Sequence, residues 1–371
     1  MENTLQNRRY PVLVQGKTYS VAEQMTDAFS TLFGANADEQ AYLEASCLCW
    51  GQVDDLSVPT IVIKQRNGRS GHFIFRAPDT GPKHAPSCIF HEPYPRLSGL
   101  RAYDPVAIKD GMDGNTTVRL KKRLFKAAET TPGPAKQSIK LPTLKMKGLL
   151  HLLWTEAKLN RWFDSPSCER RLGLVNAEIL KVAGRIITQD HLLSEHLLVH
   201  APIGSQQEIS NTDTIRKAIQ EDSKLLLLAP LKKYARSRPD RPFAKLPIIG
   251  NFGLSAVLVP EAVWAKTTSR FATELKLWEE GVNVMAFALV APRQSEEEAI
   301  SQARDIVLMA VSDAWTPLQS EAVIAQEKAY RATGTSFLTP LRFDAPAETS
   351  LPDFLLLSGE KYQAVRLGEQ Q

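Results

Sequence analysis

The sequence predicts an α+β protein in three parts: a small N-terminal module with a β-hairpin, a helical middle segment, and a C-terminal mixed α/β domain. Two short β-branched runs flank an Asn-Gly turn near residue 67, which is typical of a hairpin. A strongly amphipathic stretch begins near residue 149, and apolar runs alternate with helical patterns after residue 223. These three observations predict the three parts in that order.

The predicted N-terminal module spans residues 1–128. Its predicted strands are Tyr10–Val14, 58–64, 72–76 and Thr116–Leu120. Asn67 and Gly68 form the turn between the second and third of these strands. Ser20 and Glu23 have the spacing of a capping box, so we expect a helix of about 15 residues to follow them.

The rest of the chain divides at a basic linker, residues 129–147, which is rich in Pro, Gly and Lys. The helical segment is predicted at 148–222 and the mixed α/β domain at 223–371. The predicted helices are Leu149–Phe163, Arg170–Val182, about 260–279 and about 295–309. The predicted strands are Leu197–Val199, Leu225–Ala229, Ser255–Val259, Val284–Val290, Phe354–Leu357 and Tyr362–Leu367.

The composition is that of a globular protein. Of the 371 residues, 43% are hydrophobic and 23% are charged, and the formal net charge is +4. This charge alone does not indicate a nucleic-acid partner. The sequence has no apolar run of about 18 residues and no apolar signal segment near its start, so we expect no membrane association and a cytoplasmic location. Clustered cysteines there bind metal more often than they form disulfides.

Three of the four cysteines fall in one stretch of the N-terminal module. One residue separates Cys47 from Cys49, and three residues separate His84 from Cys88, with the predicted hairpin between the two pairs. Three thiols and one imidazole are the ligand set of a closed structural zinc site. We therefore expect these four side chains to bind one structural Zn²⁺. The alternative is three buried cysteines with an unrelated histidine, and buried packing is also the expected role of Cys168.

The Cys-x-Cys pair is similar to the opening pair of SWIM-type zinc fingers, although their second pair usually has one intervening residue. A more specific resemblance starts at Arg76 and reads Arg-Ala-Pro-Asp-Thr-Gly-Pro-Lys-His-Ala-Pro-Ser-Cys, followed by Glu92-Pro93. It resembles the signature of a bacterial family known as domain of unknown function 1173. Looser matches lie at Gly148–Trp154, Asn160–Trp162 and Arg170-Arg171.

This sequence departs from the family pattern at Phe75 and at His91, where the family usually has Lys and Tyr. His91 is also a spare candidate ligand, seven residues after His84. The resemblance implies no established activity. Members are typically carried on conjugative plasmids and integrative elements, so the resemblance implies a role in mobile-DNA biology.

Two basic segments indicate nucleic-acid binding. The first has nine basic residues between positions 119 and 147 against the single acid Glu129, and such charge suits contact with phosphates. The second interleaves Tyr234 and Phe243 with basic residues, as in grooves that stack single-stranded bases. The residues expected to contact nucleic acid are Arg119, Lys121, Lys122, Arg123, Lys126, Lys232, Lys233, Arg236, Arg238 and Arg241. Solvated lysines that keep loops soluble are the alternative.

Residues 351–357 resemble the start of a PD-(D/E)xK nuclease core, in which two carboxylates hold Mg²⁺. Glu360 and Lys361 are adjacent here, however, and the next predicted strand offers no second acid. We therefore expect a zinc-stabilised nucleic-acid-binding accessory protein of a plasmid or mobile genetic element, and a binding protein rather than an enzyme. Nucleic acid and proteins of a mobile-element complex are the expected partners. The alternatives are a scaffold subunit of a multiprotein complex and a degenerate nuclease centred on Asp353.

Overall fold

The computed structural model describes residues 9–31, 42–51, 58–65, 72–103, 106–124, 143–163, 170–235, 244–295, 298–346, 348–358 and 361–368. Within these ranges the protein combines helices with four β-sheets. This confirms the predicted α+β class. None of the helices in these ranges is long and apolar enough to cross a membrane.

The N-terminal sheet consists of short antiparallel strands. They are β1 (Val12–Val14), β2 (Lys17–Tyr19), β3 (Leu43–Cys47), β4 (Thr60–Gln65) and β5 (His72–Arg76), in the spatial order β2-β1-β3-β4-β5. The predicted pairing of β4 with β5 is confirmed, while its turn at Asn67-Gly68 lies outside the described residues. Ile61, Val62 and Ile63 are each 0% exposed, because β4 is covered on both faces.

The capping box forms but starts a shorter element than expected. The Ser20 N–H donates to Glu23 Oε2 at 2.7 Å, and the Glu23 N–H donates to Ser20 Oγ at 3.3 Å. Thr26 then adopts an extended conformation, and its Oγ1 accepts the Phe29 N–H. A Thr side chain that caps the backbone in this way competes with helix continuation. The box therefore begins a 3₁₀ turn, and the α-helix α1 (Asp27–Thr31) starts afresh.

The remaining elements follow in chain order. Residues 106–163 contain β6 (Ile108–Asp110), β7 (Thr116–Val118), α2 (Met146–Glu156) and β8 (Arg161–Trp162). Residues 170–235 contain α3 (Leu172–Ala183), β9 (Ile186–Thr188), β10 (His191–Leu192), β11 (Leu197–Val199), α4 (Gln206–Gln220) and β12 (Leu225–Pro230). Residues 244–368 contain β13 (Ala256–Leu258), α5 (Glu261–Arg270), α6 (Ala272–Glu279), β14 (Asn283–Ser295), β15 (Glu298–Val311), α7 (Glu321–Ala332), β16 (Phe337–Leu338), β17 (Phe354–Ser358) and β18 (Lys361–Val365).

The largest core surrounds α2 and the C-terminal sheet, whose strand order is β11-β12-β14-β15-β13. The helix predicted at 295–309 is wrong, since these residues belong largely to β15, which pairs with β14 along its length. A continuous apolar run at 306–311 is typical of a strand buried on both faces. This pairing overrides the helical pattern of the residues before it.

Helix α2 ends earlier than predicted. Trp154 is fully buried, as a core residue of the helix. Lys158 adopts a left-handed backbone conformation with φ of 58°, and the Leu159 N–H donates to Trp154 O at 3.0 Å. These are features of a Schellman end, where glycine is usual. The chain therefore leaves the helix at Glu156 and continues into β8.

Two sheets join segments that the sequence analysis assigned to different parts. β7 pairs in parallel with β9, and β8 pairs with β16. The full orders of these sheets are β10-β9-β7-β6 and β18-β17-β16-β8. The segment 148–222 thus supplies strands as well as helices, and the division of the chain into separate domains stays a prediction.

Candidate metal centre

Cys47 and Cys49 lie at the end of β3, where the backbone is held on both sides. The Cys47 N–H donates to Pro59 O at 2.8 Å, and the Leu48 N–H donates to Pro11 O at 3.0 Å. Residues two apart along an extended chain face the same side. Both cysteines are accordingly buried in the core of the N-terminal sheet.

His84 and Cys88 lie on the loop 77–92, which follows β5. A 3₁₀ turn at Gly81–Lys83 leads into His84, and the Cys88 N–H donates to Ala85 O at 2.8 Å. This turn brings Cys88 back beside His84. Both side chains are 0% exposed, so all four predicted ligands are buried.

The structure brings the four predicted ligands together. The sulfurs of Cys47 and Cys88 are 3.8 Å apart, and His84 Nδ1 is 3.7 Å from the sulfurs of both Cys49 and Cys88. All four ligand atoms lie within 4.8 Å of one another. A tetrahedral ion with bonds of about 2.3 Å to sulfur and about 2.0 Å to nitrogen separates its ligand atoms by about 3.5–3.8 Å. The arrangement therefore fits a metal ion at its centre.

Backbone donors also point at the sulfurs. The Ala85 N–H donates to Cys49 Sγ at 3.2 Å, and the Phe90 N–H donates to Cys88 Sγ at 3.5 Å. Hydrogen bonds to the charged form of a group favour that form. These donors stabilise thiolates, which are the species that bind metal.

The three thiols compete for ionisation in the absence of a cation. Hydrogen bonds from Cys47 and Cys88 lower the pKa of Cys49, whereas the hydrogen bond with Cys49 and burial raise the pKa of Cys47. For Cys88 the hydrogen bond with Cys47 acts to lower the pKa, but Cys49 and burial outweigh it and raise the pKa to about 12. A divalent cation stabilises all three thiolates together, so metal binding here releases protons.

The second nitrogen of His84, Nε2, is buried and has no hydrogen-bond partner among the described residues. His91, the spare candidate ligand, lies outside the four-ligand group. Its Nδ1 is 2.6 Å from the backbone oxygen of His84. Burial, followed by the charge of Arg161, lowers the pKa of His91 to about 3, so its imidazole is neutral. His91 thus supports the loop rather than completing the ligand set.

A partly buried group of charged residues lies at the other end of the same loop. We call Arg76, Glu92, Asp110, Glu156 and Lys158 the charge cluster. Arg76 forms ion pairs with Glu92 and, at 2.7 Å, with Asp110. Lys158 Nζ is 3.4 Å from Glu92 Oε1, so the left-handed end of α2 directs its amine at the same carboxylate. The cluster thereby joins the loop of the metal centre to α2.

The charges of this cluster control its pKa values. Burial acts to raise the pKa of Glu92, but Arg76 and Lys158 outweigh it and hold the pKa well below its usual range. Burial and the neighbouring Glu92 raise the pKa of Glu156 to about 7. Burial also lowers the pKa of Lys158. The cluster holds one firmly ionised glutamate beside another that titrates near neutrality.

Gly81 lets the loop close over the ion pair. The Glu92 N–H donates to Gly81 O at 3.1 Å. A Cβ at position 81 would lie 2.9 Å from Glu92 Cβ and 3.3 Å from Arg76 Cδ, which is too close for an ordinary contact. Arg76, Gly81 and Glu92 all stand in the family-like segment of the sequence. No sequence pattern predicts that they form a second, partly buried site.

The first predicted basic segment contributes to a wider basic surface. Leu120 and Leu144 form a parallel bridge, in which the Lys121 N–H donates to Leu144 O and the Leu144 N–H donates to Arg119 O, each at 2.7 Å. Lys122, Lys266 and Arg270 all contact the carboxylate of one aspartate, Asp305, at 3.6, 3.8 and 3.0 Å. We call the following residues the basic surface: Lys121, Lys122, Arg123, Lys145, Lys224, Lys266 and Arg270. Arg119, partly buried, precedes it on the same segment.

The second predicted basic segment is described only in part. Lys232 and Lys233 are exposed after β12, and Lys233 Nζ donates to Asn283 Oδ1 at 3.0 Å. Tyr234 packs edge-on against Trp278, with ring centroids 5.1 Å apart. The other residues expected to contact nucleic acid, Lys126, Arg236, Arg238 and Arg241, lie outside the described residues, as does Cys168.

Asp353, the acid of the nuclease alternative, lies before the hairpin of β17 and β18. Its Oδ2 accepts the Leu367 N–H at 2.7 Å. It belongs to no group of three potential metal ligands within the described ranges, and Glu360 falls outside them. The visible role of Asp353 is to hold the end of the hairpin.

Comparisons with known proteins give one match. Searches of curated proteins and of solved structures return none. A family model described as "Protein of unknown function (DUF1173)" matches residues 18–368. The matched range contains all four candidate ligands, the charge cluster and the basic surface. The chain therefore belongs to the DUF1173 family, as the segment from Arg76 to Glu92 had indicated.

Proposed function

We propose that the protein is a zinc-stabilised nucleic-acid-binding accessory protein of a plasmid or other mobile genetic element. The basic surface is the observation that carries this proposal. Three of its cations share the single carboxylate of Asp305, so their positive charge is not balanced locally. Such an excess attracts a polyanion, and phosphate contacts of this kind supply most non-specific nucleic-acid affinity.

The position of the surface adds to this argument. The bridge between Leu120 and Leu144 brings Lys121 close to Lys145, across the segment 125–142 whose sequence adds Lys126, Lys136 and Lys140. A polyanion that contacts this bridge would therefore meet basic residues from both of its sides. The mobile-element context rests on the typical occurrence of the family and not on the geometry.

The ligand set supports zinc as the metal. Zn²⁺ prefers sulfur and nitrogen ligands such as three thiolates and an imidazole at tetrahedral separations. Hard cations prefer oxygen ligands instead. Four protein ligands fill a tetrahedral ion, and this leaves no open position for chemistry. We assign the centre a structural role, in which it closes the ends of β3 and the loop 77–92 onto one another.

Nucleic-acid binding is tested by fluorescence anisotropy with labelled single-stranded and double-stranded DNA and RNA over a range of KCl concentrations. The double variant Lys121→Gln, Arg123→Gln removes two exposed cations from the basic surface. For duplex DNA, its log-log salt slope should be shallower by about 1.8, since each phosphate contact contributes about 0.9. The matched control is Lys181→Gln, Arg216→Gln, which removes exposed cations that pair with Glu178 and Asp213.

A protein that binds none of these nucleic acids at low salt would disprove the proposal. Equal salt slopes for the two double variants would show that the basic surface is not the binding site. The scaffold and nuclease alternatives stay predictions. Cleavage that depends on Mg²⁺ and is lost in Asp353→Ala would favour the nuclease.

A further inference from the structure

A second group of potential metal ligands lies at the hairpin of β9 and β10. His191, Glu195 and His196 each offer one ligand atom, and these atoms lie within 4.8 Å of one another. These residues were not predicted from the sequence as a site. Two imidazoles and one carboxylate form a ligand set that differs from that of the sulfur-rich centre at Cys47. The two groups are therefore separate candidate sites.

The local backbone fixes the three side chains near one another. Gln189 and Asp190 join the strands with φ of 51° and 66°, as in the two-residue turns that suit hairpins. His191 starts β10 opposite Thr188. The 3₁₀ helix Leu193–His196 follows at once and turns Glu195 and His196 back toward His191. All three side chains thus come from one short stretch of the chain, residues 191–196.

The separations are close to those of metal ligands. His191 Nδ1 is 3.8 Å from Glu195 Oε2, which is too long for an ordinary hydrogen bond. Two ligand atoms of one tetrahedral ion, with bonds of about 2.0–2.2 Å, lie about 3.4 Å apart. Because the side chains of His191 and Glu195 are each 45% exposed, they can close the remaining gap, which is at most about 1.4 Å, without disturbing the core.

His196 supplies the fixed point of the group. It is 3% exposed, and its ring lies edge-on to that of His191 with centroids 5.8 Å apart. Its ligand nitrogen is therefore held in place beside the ligand atoms of His191 and Glu195.

The hairpin is bonded directly to the basic surface. The Leu124 N–H donates to Gln189 Oε1 at 3.2 Å, and Gln189 Nε2 donates to Lys122 O at 3.2 Å. The turn that carries His191 thus packs against the chain segment of Lys122 and Arg123. A cation at this hairpin would add positive charge next to a surface that is already basic.

We propose that His191, Glu195 and His196 bind a second divalent cation of borderline softness, such as Zn²⁺, Co²⁺ or Ni²⁺. Imidazole and carboxylate ligands suit these ions. Three protein ligands leave one position of a tetrahedral ion to solvent, in contrast to the four-ligand centre, so the second site is open. The site is independent of the nucleic-acid proposal, and it stands or falls on metal binding alone.

The test is a titration with Co²⁺ of protein that carries a single equivalent of zinc, followed by equilibrium dialysis and visible absorption at pH 7.5. The full chain should bind one further equivalent, with d–d bands but without the thiolate-to-cobalt charge-transfer band that a Cys-ligated ion produces. Glu195→Gln and His191→Ala should each weaken this second equivalent at least tenfold. Both side chains are half-exposed, so folding should survive, which circular dichroism verifies.

The matched control is Glu221→Gln, which removes an exposed carboxylate elsewhere and should leave both equivalents unchanged. The proposal is overturned if the zinc-loaded protein takes up no further Co²⁺. It is also overturned if the second equivalent shows sulfur charge transfer, or if it binds equally well to Glu195→Gln, His191→Ala and the wild type.

Discussion

The metal centre and the charge cluster are built from one loop, yet their electrostatic requirements are opposite. Cys47, Cys49, His84 and Cys88 bring together four buried potential ligands with no opposing charge among them, so together they could hold a metal ion. In the charge cluster, the cations Arg76 and Lys158 and the anions Glu92 and Asp110 neutralise one another. The first site suits an added cation, whereas the charges of the second are balanced as folded.

This difference indicates two separate tasks. The metal centre ties β3 to the loop 77–92 and so stabilises the N-terminal sheet from within. The charge cluster ties the same loop to α2, and Arg161 of β8 adds a hydrogen bond to the backbone oxygen of His91. We expect changes at the first site to unfold the sheet and changes at the second to loosen its attachment.

The largest expected effect comes from removing one metal ligand. Cys88→Ser should lose the bound metal and unfold the region of the N-terminal sheet, because metal binding is worth about 10–16 kcal/mol in small zinc peptides. Elemental analysis should give about one zinc per chain for the wild type and none for the variant, and hydrogen exchange should rise across residues 43–92. Cys168→Ser is the control and should keep its metal. Full metal content in Cys88→Ser would contradict the assignment of the ligands.

The next effect comes from removing the carboxylate that two partly buried cations share. Glu92→Gln leaves Lys158 without its ion-pair partner and Arg76 with Asp110 alone, so the cost should lie near the lower end of the about 3–5 kcal/mol for breaking a fully buried ion pair. Denaturant unfolding measures this loss, and the metal content should stay at its wild-type value. Glu178→Gln removes the partner of the exposed Lys181 and should cost less than about 1 kcal/mol. Loss of metal in Glu92→Gln would show that the two sites are not separate.

A smaller loss is expected from adding a single methyl group at the loop. Gly81→Ala places a Cβ within 2.9 Å of Glu92 Cβ, and overpacking of this kind costs about 1–3 kcal/mol. Gly173→Ala is the matched control. A Cβ there meets nothing within 4 Å, so it should be neutral or stabilise α3 by up to about 1 kcal/mol. Equal stability of the two variants would show that the loop does not close tightly over Arg76 and Glu92.

The smallest effect depends on pH. Glu156 has a pKa raised to about 7 from 4.5, so between these values the folded state holds a proton that the unfolded state has lost. The contribution of Glu156 to the free energy of unfolding therefore falls as pH rises through that window, and it levels off above pH 7. The opposite contribution of Glu92, whose pKa is lowered, is lost only as pH falls below 4.5.

Glu156→Gln removes this titration. Between pH 5.5 and pH 7.5, the free energy of unfolding of the variant should rise by about 2 kcal/mol relative to that of the wild type, since one pKa unit corresponds to about 1.36 kcal/mol. Urea unfolding at several pH values measures the difference, with the zinc content checked at each pH because acid releases metal from thiolates. A pH-independent difference between the two proteins would mean that Glu156 is ionised throughout.

The grouping of the four candidate ligands could be predicted because sulfur and imidazole at short spacing are a local signal. Cys47 and Cys49 share a strand end, and one turn joins His84 to Cys88, so only the approach of the two pairs required the fold. The charge cluster has no such signal. Arg76, Glu92 and Lys158 are ordinary surface residue types, and only the meeting of the loop with α2 buries them.

The helices and strands show the same limit, because local sequence does not report pairing with distant segments. The predicted β4–β5 pairing needed only neighbouring residues and is confirmed. The helix predicted at 295–309 failed because β15 is defined by its long pairing with β14, which local propensity does not report. The end of α2 was missed since Lys158 occupies a left-handed position where glycine is the usual signal.

The order of these residues along the chain has a consequence for synthesis. The four ligands of the metal centre all precede residue 89, but the Gly99 N–H donates to Leu341 O, and the Lys145 N–H donates to Asp344. At about 5–20 residues per second, a ribosome needs roughly ten to fifty seconds to pass from Cys88 to Asp344. On the zinc assignment proposed above, the nascent chain can thus bind the ion well before the partners of Gly99 and Lys145 have been made.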